Sequence, residues 1–208
     1  MTLRLDWVGH EAAAYACRHW HYSRIAPAGR LMVLGVWECE AFKGVVIFSR
    51  GANNNIGSPY GLKQTEVCEL TRVALTKHDA PVSRIVAVAL RLLNRKAPGL
   101  RLVVSYADPA QSHHGGIYQA GGWTYAGPTR AQRELLVNGK PMHKRTANSR
   151  WGTGSVERLR DMTGLSVEYG PSEFKHTYLM PLDHQMRGVV KPLAKPYPKR
   201  VQRSVTAE

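Results

Sequence analysis

Leu102-Val103-Val104-Ser105-Tyr106-Ala107-Asp108 opens on a short apolar run and closes on polar groups. A run of that length without alternation is the pattern of a strand buried on both faces. In open α/β sheets, ligands collect outside the carboxyl ends of such strands, which makes Asp108 a candidate functional residue. Upstream, residues 66–75 alternate well enough for a second strand and put Arg72 on the face of Cys68, Leu70 and Ala74, where a cation needs an anionic partner. Between the two, Ser83 stands as N-cap of a helix running to about Lys96, with Ile85, Val88, Ala89 and Leu92 at helical spacing and Gly99 beyond its end.

Working outward, residues 10–20 read as an alanine-rich helix that runs into the polar stretch His19-Trp20-His21-Tyr22-Ser23-Arg24 and a turn at Pro27 and Gly29. Residues 31–38 and 42–49 form a hairpin, and the Gly/Asn stretch 51–61 is a loop suited to a mobile flap over a site. Downstream come a short helix at 116–120, strands at 123–126 and 134–137, a basic loop at 140–150, a helix at 156–162 and a last strand at 174–180. This order belongs to the α/β or α+β classes. We expect one domain over residues 1–183, with a basic insertion at 140–165, and an extended basic tail at 184–208. Residues 187–203 carry six basic side chains, no acidic ones and three prolines.

The charge narrows the partner. Lys and Arg number 29 against 15 acidic residues, a net charge of +14 with a pI near 10.0. Such a surplus favours a polyanion, through phosphate neutralisation and counterion release, and double-stranded DNA leads. The candidate phosphate contacts are Lys140, Lys144, Arg145 and Arg150. No apolar run approaches the roughly 20 residues of a spanning helix, and charges interrupt the start of the chain, so neither a membrane nor secretion is expected. Cys17, Cys39 and Cys68 are widely spaced and lack a CxxC pair, which fits a reducing cytoplasm and three small buried hydrophobes. No feature calls for an obligate protein partner.

Glu69-Leu70-Thr71-Arg72-Val73-Ala74-Leu75, the helix begun at Ser83, Val104-Ser105-Tyr106-Ala107-Asp108 and Ile117-Tyr118-Gln119-Ala120-Gly121-Gly122-Trp123 together resemble a GNAT acyltransferase core. That resemblance implies a mixed central sheet with flanking helices and a strand pair that splays to open a cleft. Within the superfamily, the wording of residues 105–123, with His21-Tyr22-Ser23 and Glu69-Leu70-Thr71-Arg72 upstream, resembles the Mom proteins of phages. What this implies is a transferase-like enzyme that converts adenine in DNA to N6-carbamoylmethyl (acetamido) adenine and masks phage DNA from host restriction. The superfamily implies acetyl-CoA or a related acyl donor, yet residues 76–82 lack the glycines that let backbone amides approach a pyrophosphate.

The resemblance makes His21 and Tyr22 catalytic candidates beside Asp108, and Tyr118 the candidate general acid. Imidazole can act as a base near neutral pH or as a metal ligand. The family also implies iron, with His21 and Asp108 as the candidate ligands, although no spacing forms a metal motif. Arg72, Ser83, Arg84 and Ser105 are the candidates for holding a donor. Trp123 and Trp151 could stack on an extruded adenine, since chemistry at its amine requires the base to leave the duplex. Two other classes compete: a GNAT N-acetyltransferase of a protein or small amine, and a non-catalytic DNA-binding protein.

Overall fold

The computed structural model describes residues 2–51 and 53–199, apart from the side chain of Arg145. The chain begins with β1 (Leu3–Trp7), a strand not expected from the sequence, and α1 (His10–Trp20). The hairpin β2 (Leu31–Glu38) and β3 (Ala41–Ser49) follows. Cys39 and Glu40 both take positive φ, 46° and 64°, which is the two-residue turn that matches the twist of paired strands. Cys39 is therefore exposed at the tip, while Cys17 and Cys68 are buried as expected.

Next come β4 (Val67–Leu75), α2 (Val82–Lys96), β5 (Leu102–Ala107), α3 (Gly116–Ala120) and β6 (Thr124–Pro128). Residues 132–173 then hold β7 (Gln132–Val137), β8 (Lys140–Met142), α4 (Lys144–Trp151), α5 (Val156–Thr163) and β9 (Val167–Glu173), before β10 (His176–Pro181) and α6 (His184–Val190). The main sheet has the order β1-β2-β3-β4-β5-β10-β6, and among the described residues only β4 and β5 pair in parallel. It is the expected mixed α/β sheet with helices on both faces. Residue 81 rather than Ser83 caps α2, because Pro81 (φ −54°) has a preset backbone and no N–H to leave unpaired.

One face of the sheet buries Leu34, Val36, Phe48, Leu70 and Val103 against Ile85, Ala89 and Leu93 of α2. The other face is covered in two pieces. Ala13, Ala16 and Cys17 of α1 pack on Val33, Val45, Ile47 and Ala74. Ile56 and Leu62, with Met186 and Val190 of α6, pack on Val67, Leu102, Val104 and Leu179. The stretch expected as a flap is thus pinned by buried Ile56 within it and by buried Leu62 just beyond its end.

Strands β4 and β5 pair only from Val67 opposite Leu102 to Glu69 opposite Val104, although β4 runs on to Leu75 and β5 to Ala107. Against β3, Ile47 lies opposite Arg72 and Phe48 opposite Leu70, so Thr71 is an extra residue in β4. Such a bulge bends a strand and increases its local twist, and here β4 leaves β5 just beyond it. The bulge also corrects the expected facing of Arg72. Cys68 and Leu70 stay on the α2 face, whereas Arg72 and Ala74 turn to the α1 face.

The segment expected as a basic loop is β8 and α4, part of a second sheet of order β8-β7-β9. Its core is Leu135, Val137, Ala147, Val156, Leu159 and Val167, with Trp151 packed against it. Among the described side chains of α4, Ala147 and Trp151, four residues apart, pack on this core, too sparse a pattern to read as a helix. The expected tail is likewise structured at its start. Asp183 caps α6 by accepting from the Met186 N–H at 2.7 Å, and Met186 and Val190, again four apart, are buried. Extended chain follows, tied down by Lys195 N–H to the Tyr125 carbonyl at 2.8 Å and by the Tyr197 hydroxyl to the Trp123 carbonyl at 2.7 Å. The last part of the tail, residues 200–208, lies outside the described residues.

Gly115 has φ +86°, and a Cβ there would fall within the Tyr178 ring. Gly115→Ala is expected to cost about 2–4 kcal/mol, from left-handed backbone strain plus displacement of that ring. Urea unfolding reads this directly, and an unchanged midpoint would show that the ring has room to move.

Candidate functional site

Where α1 ends, its last carbonyls need donors. Arg24, at φ 55°, turns back and its Nη1 donates to the Arg18 and His19 carbonyls at 2.9 and 3.1 Å. A cation there also complements the negative end of the helix dipole. The turn so fixed presents His21 and Tyr22. The Ser23 backbone N–H donates to His21 Nδ1 at 3.1 Å, and the Ser23 hydroxyl lies 2.8 Å from the same nitrogen. A backbone N–H can only donate, so Nδ1 is the acceptor and the neutral ring carries its proton on Nε2. Burial, with the nearby Arg72 and His113, lowers this imidazole to about 4. At neutral pH it is therefore an uncharged Nε2–H donor and not the base expected from sequence.

Tyr22 is 50% exposed, with its ring centroid 4.2 Å from that of His21 and 5.6 Å from that of His113. Burial of its hydroxyl end pushes the phenol up, Asp108 adds to the effect and Arg72 opposes it. The charges of Arg72 and Asp108 thus converge on Tyr22 from β4 and from the end of β5.

Between the two apolar clusters on its α1 face, β4 carries Glu69, Thr71 and Arg72 where it parts from β5. The Thr71 hydroxyl lies 2.7 Å from that of Ser49. Arg72 Nη1 donates to the Thr71 carbonyl at 2.8 Å, while its Nε is buried without a hydrogen-bond partner. An unpaired buried guanidinium nitrogen is costly and marks a place where an anionic or carbonyl group would be welcome. The carboxylate of Glu69 acts on Tyr106 and Tyr118, helping burial to push each up to about 12.

Asp108 ends β5 and caps a short 3-10 turn, its Oδ1 accepting from the Ala110 N–H at 3.0 Å. Its carbonyl accepts from the His113 N–H at 3.0 Å, closing the loop that returns His113 to Tyr22. Behind this loop Tyr118 is buried, and its hydroxyl is 2.7 Å from that of Ser105, which donates to the Leu70 carbonyl at 2.8 Å. Where β4 and β5 no longer pair, Ser105 and Tyr118 satisfy a strand carbonyl that has lost its sheet partner.

Of the residues singled out in the sequence, His21, Tyr22, Arg72 and Asp108 come within electrostatic reach near the splay, Arg72 acting on His21 and both charges acting on Tyr22. Tyr118 lies just behind them, kept protonated by burial. Ser105 is fully buried and its hydroxyl is occupied, so it does not reach a donor. Ser83 and Arg84 sit in the first turn of α2, on the opposite face of the sheet from α1. Lys140, Lys144 and Arg150 are exposed on the second sheet and its helix, Lys144 Nζ lying 4.8 Å from the Tyr169 ring and the Arg150 guanidinium 4.7 Å from Trp151. The Arg145 side chain lies outside what is described. Trp123 is 1% exposed under Tyr118 and has no face for a base, whereas Tyr22 beside His21 is half exposed. His113, expected as a plain loop residue, belongs to the cluster. It comes there through the Asp108 turn, for which only the Asp-Pro pair gave a signal. Among the described residues no three His, Cys, Asp or Glu side chains gather as a metal site, so His21 and Asp108 lack the third ligand that iron would need.

Lowering the imidazole means that, between about 6.5 and 4, the unfolded chain binds a proton at His21 that the folded chain refuses. Stability therefore falls as the pH drops through that window, and His21→Gln is expected to make the decline shallower. Urea midpoints at several pH values test this, and equal slopes for the two proteins would refute it. Arg24→Ala, by releasing the α1 terminus, is expected to lower stability by about 1 kcal/mol and to weaken amide-exchange protection through residues 18–24.

No curated protein matches this chain. Among solved structures, the yncA protein of Salmonella typhimurium, assigned as an acetyltransferase and determined with its cofactor acetyl-CoA, is similar over 88% of this chain and 96% of that one. The identity is 10% and the TM-score 0.48. The Mom protein family profile matches residues 2–199, nearly the whole described structure. The chain belongs to the Mom protein family, a family of DNA-modification proteins.

Proposed function

We propose that this protein transfers a small group onto the exocyclic amine of adenine in DNA, forming N6-carbamoylmethyl adenine and so protecting phage DNA from host restriction. The observation that carries the reading is the gathering of His21, Tyr22, Arg72, Asp108 and His113 at the parted strands of a Mom-family chain with a net charge of +14. Neither competing class accounts for both the charge and this cluster. An adenine within a duplex hides its amine, so the base must swing out before it reacts. Tyr22, half exposed at the cluster, offers the ring on which it stacks.

In this reading the amine nitrogen forms the new bond to carbon, gives one proton to the Asp108 carboxylate, and the donor's leaving group departs with the bonding pair. His21 donates from Nε2 to a ring nitrogen or carbonyl and stays neutral as it does so. Arg72, whose Nε is unpaired, stabilises negative charge as it develops. Tyr118 stays protonated and acts through Ser105 to hold the strands apart. The exposed cations Lys140, Lys144 and Arg150 meet phosphates of the flanking duplex and carry no sequence information.

Nucleosides from plasmid DNA of bacteria expressing the protein are expected to contain deoxyadenosine heavier by one acetamide substituent, detected by mass spectrometry. The product should be absent with Asp108→Asn, which keeps the acceptor for the Ala110 N–H and hence the stability. Unmodified DNA in the native phage host would overturn the reading. Replacing Lys140, Lys144 and Arg150 together by Gln is expected to weaken DNA binding and lower the slope of log K against log salt by up to about 3. An unchanged slope would place the duplex elsewhere.

A further inference from the structure

Residues 76–81 join β4 to α2, the place where the acyltransferase resemblance implies a pyrophosphate cradle. Thr76-Lys77-His78-Asp79-Ala80-Pro81 contains no glycine, and Pro81 has no N–H to offer. The Asp79 and Ala80 amides do point at an anion, and that anion is part of the chain. Glu38, the last residue of β2, accepts from the Asp79 N–H through Oε2 at 2.9 Å and from the Ala80 N–H through Oε1 at 2.7 Å. It is 3% exposed. These two bonds hold its carboxyl below the usual carboxylate range, His78 and Lys43 assisting and burial opposing. A carboxylate with both oxygens on amides uses the donors a phosphate would need, and its charge repels a second anion at the same place.

We propose that Glu38 is the resident anion of this loop and closes it to the pyrophosphate of a CoA-type donor. These residues do not fit that cofactor, so the transferred group comes from a donor that is not seated by a pyrophosphate at the start of α2. The proposal stands apart from the identity of the DNA product, because it concerns a loop on the opposite face of the sheet from α1.

The test follows the Asp79, Ala80, Val82 and Ser83 amide resonances of the full-length protein during titration with CoA. In the wild type they are expected to stay in place up to about 1 mM, the concentration that bounds weak binding. Glu38→Ala vacates the cradle, and there the same amides are expected to shift saturably, with an apparent affinity at least about tenfold tighter and weakened by salt. Glu38→Gln, which keeps the shape and removes the charge, takes its place if the alanine variant does not fold. Saturable shifts in the wild type would overturn the proposal. A folded variant as inert as the wild type would overturn it too, by showing that the carboxylate is not what closes the loop.

Discussion

The single extra residue at Thr71 is the constraint on which the rest depends. Without it, β4 would keep its register with β3, Arg72 would stay on the α2 face with Leu70, and nothing would turn β4 away from β5. With it, the strands part after Glu69 and Val104, and the backbone groups freed by the parting need new partners. Ser105 and Tyr118 supply one, at the Leu70 carbonyl. The parting of the strands is thus backed by a buried polar contact made from the fold's own side chains, which explains why Ser105, for all its suggestive position, is not exposed.

The two faces of the sheet divide the work. On one, β4 between the α1 and α6 clusters carries a guanidinium with an unpaired nitrogen, near a neutral imidazole and a half-exposed tyrosine. On the other, α2 packs against the apolar core, and the Asp79 and Ala80 amides before it are satisfied internally by Glu38. Uncompensated electrostatic demand is therefore concentrated on the α1 face. Among the described residues, no helix is long and apolar enough to cross a membrane.

Much of this architecture was legible because local physics decided it. The apolar run at 102–104, the heptad-like spacing of Ile85, Ala89 and Leu92, and the hairpin at 31–49 are strong short-range patterns, and each element formed where its pattern lay. Signals failed where few side chains face inward. Among the described side chains, α4 buries Ala147 and packs Trp151, and α6 buries Met186 and Val190, too few inward positions for either to show a helical period in sequence. The residues around Ile56 looked like a free flap because two anchors in a glycine- and asparagine-rich stretch carry no period.

The sequence by itself determined the class of fold, the excess positive charge, the presence of His21, Tyr22 and Asp108 in polar stretches flanking regular elements, and that of Arg72 within a strand. Those are properties of residue type and local period. Only the tertiary structure decided which of them meet, because a one-residue bulge reverses the face of Arg72 and a capped turn brings His113 beside Tyr22 from more than ninety positions away. It alone decided the state of His21, whose lowered basicity comes from burial with Arg72 and His113 adding to it, and the partner of the Asp79 and Ala80 amides, which is a carboxylate 41 and 42 residues earlier in the chain. Charge and hydrogen bonding act through space over a few ångströms, and chain separation does not encode that distance.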